Sequence, residues 1–305
     1  MIYEYALEPE LVASWHSPED FRFFVDKFGL GRGRIITKFP KGWVKLVWES
    51  VAPTAGDMAR KRLEELLMRF TERMIRRVGT SYDGNAAWLL NAESEHLRQP
   101  FHAILARTNP RRSAVVLLPD HLNDRNVLWV VKTDCVCART AAGLENAIDS
   151  VLRCCSMVAF IDPNFGPENG RHRRPLREFL RVLAGRPSAA LPDVELHTSG
   201  KARAEFFRET CESELMPLIP SGFTLRVKRW RIKPGSEALH HRYVLTDLGG
   251  VGFKFGLDDG ATGETDELNL LSAEVYRLRW GQYLSDRPAF ELVDELTITG
   301  QEGNS

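Results

Sequence analysis

The spacing of apolar positions divides the chain into a front part that reads as helices and a longer rear part in which strands alternate with helices. Ser17-Pro18-Glu19-Asp20 offers a capping side chain, a proline at the first helical position and acids in the first turn. Phe21, Phe24, Val25 and Phe28 follow at three- and four-residue steps up to Gly29, the stripe of an amphipathic helix. The same period recurs from Trp43 to Val51 and from Met58 to Val78, where Leu63, Leu66, Leu67, Phe70 and Met74 share one face. These positions predict a small N-terminal helical domain over residues 1–80. Gly79-Thr80-Ser81-Tyr82-Asp83-Gly84-Asn85 concentrates turn formers without an apolar period and predicts a linker to a second domain over residues 86–300.

Beyond that linker, short apolar runs predict strands from Ser113 to Leu118, Val127 to Val131, Met157 to Ile161, Val194 to His197, Phe223 to Arg229 and Leu239 to Leu245. Helical periods fall between them, from Ala141 to Arg153, Arg174 to Ala184 and Ala202 to Glu214. The alternation predicts an α/β domain of the layered α+β kind, a mixed sheet flanked by helices.

Composition narrows the functional classes. The chain has 305 residues, 43% of them hydrophobic, enough for a sizeable core. Lysine plus arginine and aspartate plus glutamate each number 41, so net charge attracts neither a polyanion nor a membrane surface, and a nucleic-acid site must be a local patch. Met1-Ile2-Tyr3-Glu4-Tyr5 carries an acid where a secretory leader is basic, and no apolar run approaches the roughly 18 residues of a membrane span. A cytoplasmic protein is expected. Five cysteines, two of them adjacent at Cys154-Cys155, suit reduced thiols better than a disulfide framework. Cys135-x-Cys137 lacks zinc-knuckle spacing, so neither a metal nor another cofactor is expected.

The chemistry concentrates in His240-His241-Arg242-Tyr243-Val244-Leu245-Thr246-Asp247, followed by the glycine-punctuated run from Gly249 to Asp259. On a strand, His240 and Arg242 share a face about 7 Å apart and can address one phosphate. An imidazole attacks phosphorus at neutral pH without a metal, and a guanidinium gives two parallel hydrogen bonds to non-bridging oxygens. Asp247 is placed to orient the imidazole or balance the arginine, with Thr246 and Asp259 in support. His241 and Tyr243 alternate to the other face, His241 as a packed or solvated ring. Two basic runs offer phosphate contacts: Arg229 and Arg231 beside Trp230, with Lys254 nearby, and Arg173 and Arg174 within Arg171-His172-Arg173-Arg174. The Arg171–Arg174 run is equally readable as a solvated helix face, whereas the run around Trp230 is the better phosphate track, its other reading being an exposed strand face. The residues alone leave three readings of the motif open: an internal charge network, phosphate binding without turnover, and phosphodiester cleavage.

The spacing His-x-Arg-x4-Asp resembles the His-x-Lys-x4-Asp, or HKD, motif of the phospholipase D superfamily. Arg242 stands at the lysine position, and Gly256-Leu257-Asp258-Asp259 stands where that family has Gly-Ser-x-Asn. Phe160-Ile161-Asp162-Pro163-Asn164-Phe165 is similar to the family's strand-end Asp-Pro-x-Phe, and the resemblance covers roughly residues 86 to 295. Within the superfamily, His-x-Arg with a Gly-Leu-Asp ending is most similar to bacterial proteins of restriction and anti-phage loci and to the C-terminal module of microtubule-interacting-and-trafficking proteins. The resemblance implies a metal-independent phosphodiesterase or nuclease working through a phosphohistidine, with His240 as nucleophile and general acid, Arg242 as phosphate clamp and Asp247 as orienting carboxylate. Its alternative is a non-catalytic subunit that binds phosphate, nucleic acid or a partner protein, the helical domain docking onto another subunit. The family unites two such motifs, whereas His102, His121 and His197 here lack a basic residue two positions on. Catalysis therefore implies a homodimer bringing two copies of His240 together.

Overall fold

Tyr3–Leu7 forms a strand, β1, in the region where the apolar period predicts only helices. The computed structural model describes residues 1–71, 74, 75, 77, 79–186, 191–235 and 237–301. After β1 come α1 (Pro9–Ser14), α2 (Pro18–Lys27), β2 (Arg34–Thr37), α3 (Trp43–Glu49), α4 (Asp57–Thr71), α5 (Trp88–Arg98), β3 (Ala103–Leu105) and β4 (Val116–Leu117). The cap foreseen for α2 is present: Ser17 Oγ accepts from Asp20 N at 3.0 Å. The four strands form a parallel sheet in the order β2-β1-β3-β4. β3 and β4 are short and wholly apolar, and the apolar residues of β1 and β2 are adjacent, so no strand carries a clear alternating signal.

This sheet corrects the expectation of a purely helical domain over residues 1–80. β1 pairs with β3, which lies beyond the Gly79–Asn85 segment. That segment is accordingly a loop inside the first unit, held by Asn91, whose Oδ1 accepts from Asp83 N and whose Nδ2 donates to Asp83 O. The two compact units are residues 2–133 and residues 134–305. The stretch from Val127 to Val131 is a turn with buried Trp129, because Asn126 captures the backbone N–H groups of Leu128 and Trp129. The predicted helix from Met58 is α4, and Glu72, Arg73, Arg76 and Val78 at its expected end lie outside the described residues.

The second unit comprises β5 (Asp134–Ala138), α6 (Ala141–Cys154), β6 (Met157–Ile161), α7 (Gly170–Ala184), β7 (Asp193–Ser199), α8 (Ala204–Glu214), β8 (Thr224–Arg231), β9 (Arg242–Thr246), β10 (Gly249–Phe253), β11 (Thr265–Leu270), α9 (Ala273–Leu284) and β12 (Glu291–Thr299). Its eight strands lie in the order β12-β8-β7-β6-β9-β10-β11-β5. β6, β7 and β8 run parallel, and every other pairing is antiparallel. Period-two alternation sends Phe160 to one face, where it stacks on Phe179 of α7 at 5.3 Å. Ile161, Tyr243 and Leu245 go to the other, where they meet Tyr276, Trp280 and Tyr283 of α9. The result is the layered mixed sheet expected from the sequence. Among the described residues, no helix is long and apolar enough to cross a membrane.

A buried polar set lies on the α9 face. His197 Nε2 is 2.7 Å from Glu195 Oε2, and Trp230 Nε1 donates to His197 Nδ1 at 3.0 Å. The network assigns a neutral ring with its proton on Nε2. Burial pushes His197 below its usual pKa while Glu195 opposes that shift. Burial likewise pushes Glu195 up, but hydrogen bonds from His197 and Lys228 outweigh it and bring the carboxyl down to about 2. The unfolded chain protonates this histidine first, near pH 6.5. Its stabilising contribution is thus complete above that value and is lost as pH falls through the lower folded pKa. Chemical denaturation checks this. H197Q is expected to be less stable by about 1–3 kcal/mol at pH 7.5 and to lose less stability than wild type on going to pH 5.5. Equal losses in the two proteins contradict the assignment.

Candidate functional site

β9 is held between β6 and β10, pairing Tyr243 with Ile161 and Arg242 with Phe253. Neither neighbour extends beyond Arg242, so the ladder stops there and His240 and His241 precede the strand. The expected strand from Leu239 is therefore shorter, and the shared-face argument for His240 and Arg242 does not apply. His240 is exposed, with Nδ1 3.1 Å from Ala238 O and its ring 3.9 Å from that of His241.

Asp247 lies at the opposite end of β9, about 16 Å from Arg242 at 3.3 Å per residue. Its carboxylate accepts from Ser156 N at 2.8 Å, Met157 N at 3.2 Å and Ser156 Oγ at 2.5 Å. It joins the start of β6 to the β9–β10 turn and does not orient His240. Thr246 belongs to the same turn, fully buried, donating to Gly249 O and accepting from Leu248 N.

Arg242 meets Asp162 instead. The Asp162 carboxylate is buried at the carboxyl end of β6, with Oδ1 4.0 Å from Arg242 Nε. It accepts from Asn164 N and Leu257 N at 2.9 and 3.0 Å. Gly256 has φ +150°, and a Cβ there would fall 3.0 Å from Asp162 Oδ2 and 2.7 Å from Asp258 Oδ1. Glycine is needed for this approach. The Gly256-Leu257-Asp258-Asp259 segment is an inward latch: Asp258 pairs with Arg139 and Arg171, and Asp259 with Arg174. These pairs engage Asp259 and Arg174 away from a ligand.

An open groove of about 630 Å³ adjoins the motif, lined by His240, His241, Arg242, Lys254, Glu267 and Asn269 among others. Of the proposed site residues it gathers His240, Arg242 and Lys254. Lys254 Nζ is 3.0 Å from Glu267 Oε2. The other candidate phosphate contacts lie elsewhere. Arg229 is 2% exposed, bound to Ala202 O, near Asp294 and over the Phe207 ring. Arg231 faces Glu291 at 3.8 Å, and Arg173 pairs with Glu214.

Sequence reasoning passed over the best-organised imidazole. His241 Nε2 is 2.8 Å from Glu237 Oε1, while Glu237 Oε2 accepts from Arg279 Nη1 at 2.8 Å and Gln282 Nε2 at 2.9 Å. The bonds from Gln282 and Arg279 lower the Glu237 carboxyl to about 2. Arg279 also lies over Tyr243, whose ring stacks at 5.6 Å on His241. The only sequence cue was the four-residue step from Glu237 to His241, which lies in a loop where that spacing carries no meaning.

Burial pushes the thiols of Cys135, Cys137, Cys155 and Cys211 upward, Cys137 to about 11 and Cys155 and Cys211 to about 12. Among the described residues, no three of His, Cys, Asp and Glu converge as a metal site requires.

No family model matches the chain, and no curated protein matches it. Among solved structures, the crystal structure of phosphatidylserine synthase from Haemophilus influenzae is similar over 54% of this chain and 46% of that one, at 11% identity and a TM-score of 0.33. The chain thus spans less than half of that protein's length, and the site is read from its own geometry.

Asp247→Ala separates a structural role from a ligand role. Loss of its three acceptor bonds is expected to destabilise the protein by about 1–3 kcal/mol, read by denaturant titration. Unchanged stability in the variant would contradict the structural role and return Asp247 to the site.

Proposed function

We propose that the second unit is a phospholipase D-like phosphodiester-binding module whose ligand is nucleic acid, held in the groove by Arg242 and Lys254 together with the histidine pair. The observation that carries this reading is Arg242 at the edge of an open groove: its Nε–H stands 4.0 Å from Asp162 Oδ1 and has no hydrogen-bond partner among the described residues. Leaving such a donor unsatisfied costs about 1–3 kcal/mol. A phosphate oxygen satisfies it with a charge-assisted bond. Asp162 sits beside the guanidinium without closing the groove.

Binding is better supported than turnover by a single chain. His197 has both ring nitrogens engaged in the core, and Asp247 is committed to Ser156 and Met157. In the superfamily mechanism the leaving group is protonated by the histidine of a second motif, and this chain carries one such motif. Cleavage belongs to a homodimer in which another copy supplies the second.

Fluorescence anisotropy with short single-stranded DNA and RNA, in excess chelator and at low salt, tests the reading. Arg242→Ala is expected to weaken binding about tenfold or more, with the folded fraction of the variant measured on the same samples because the substitution also removes the cation beside Asp162. Unchanged affinity would remove the groove from the account. A nuclease assay on the same samples distinguishes the catalytic alternative: chelator-resistant cleavage lost in His240→Ala supports a histidine enzyme, whereas cleavage that persists rules out His240 as nucleophile.

A further inference from the structure

The fixed charges around the groove largely cancel. Arg242 faces Asp162, Lys254 pairs with Glu267, and Arg279 pairs with Glu237. Asp134, at the start of β5, adds a further carboxylate to the lining. Attraction for a phosphate diester therefore turns on the imidazoles. The two differ in how they are held. His240 is exposed and, among the described residues, touches a backbone carbonyl two residues away and the neighbouring ring. His241 is half-buried and anchored to α9 through the Glu237, Arg279 and Gln282 network, with Tyr243 stacked against it.

We infer that His241, oriented through Nε2 by Glu237, is the imidazole that donates to the bound phosphodiester, so that the groove takes up its ligand together with a proton from solvent. This rests on the phosphate reading of the groove. Nε2 is committed to Glu237, so the added proton goes to Nδ1, and the resulting N–H donates to a non-bridging phosphate oxygen. No covalent bond forms or breaks. Glu237 is a positioning residue. Burial keeps the ring below its ordinary pKa, Glu237 opposes that shift, and Arg279 and His240 add to it. The empty groove therefore holds His241 neutral around pH 7. A phosphate supplies the missing negative charge and draws the proton in.

Oligonucleotide affinity measured from pH 5.5 to 8.5 for wild type, H241N, H240N, E237Q and R242A separates the possibilities. Wild type is expected to bind about tenfold more tightly at the acid end, the size of one pKa unit of linkage. H241N flattens that profile while H240N retains it, and E237Q moves the midpoint to lower pH because the carboxylate that supports the charged ring is gone. Intrinsic fluorescence at each pH confirms that every variant is folded. A profile unchanged in H241N, or abolished in H240N alone, overturns the inference while leaving the groove reading intact. Unchanged affinity in R242A overturns the groove reading itself.

Discussion

The Asp162 carboxylate is the constraint on which the rest of the site depends. A carboxylate with almost no solvent contact must collect hydrogen bonds and a cation or it destabilises the fold by several kcal/mol. It collects Asn164 N, Leu257 N and the Arg242 guanidinium. Those partners come from the end of β6, the loop after β10 and the first residue of β9. One side chain thus ties together three segments distant in sequence, and with Asp258 it leaves no room for a side chain at position 256. The guanidinium at the groove edge lies beside the same carboxylate that ties the end of β6 to the loop after β10.

That anchoring shapes the chemistry. Because Asp162 already balances Arg242, and Glu267 balances Lys254, the groove has little standing charge to spend on a polyanion. Its affinity is instead tied to a proton on a ring that α9 positions through Glu237. The even balance of 41 basic and 41 acidic residues over the chain is consistent with a local and conditional anion site.

Much of the second unit was legible because its buried strands are compact apolar runs. Met157–Ile161 and the helix from Ala141 fall where the pattern puts them. α9 escaped notice because Tyr276, Trp280 and Tyr283 pack inward while Leu278 is exposed, which blurs the stripe. β1 and β3 were missed because three or four apolar residues in a parallel sheet are too few to show a period. In the site, His240 and Arg242 were legible as a motif, but linear spacing misplaced Asp247. Five residues of strand carry it to the far end of the sheet. Glu237 and Arg279 meet His241 only through tertiary structure, across 42 positions in the case of their mutual bond.

The central claim is that Arg242 Nε–H is an unsatisfied donor that a phosphodiester completes. Arginine Nε–Hε correlation spectra, recorded while a short oligonucleotide is titrated into the protein and assigned with Arg242→Lys, test it directly. The account predicts that the Arg242 cross-peak moves downfield to saturation while that of buried Arg229 stays in place. An Arg242 signal that does not move at saturating ligand, with shifts at Arg231 or Arg174 instead, would contradict it.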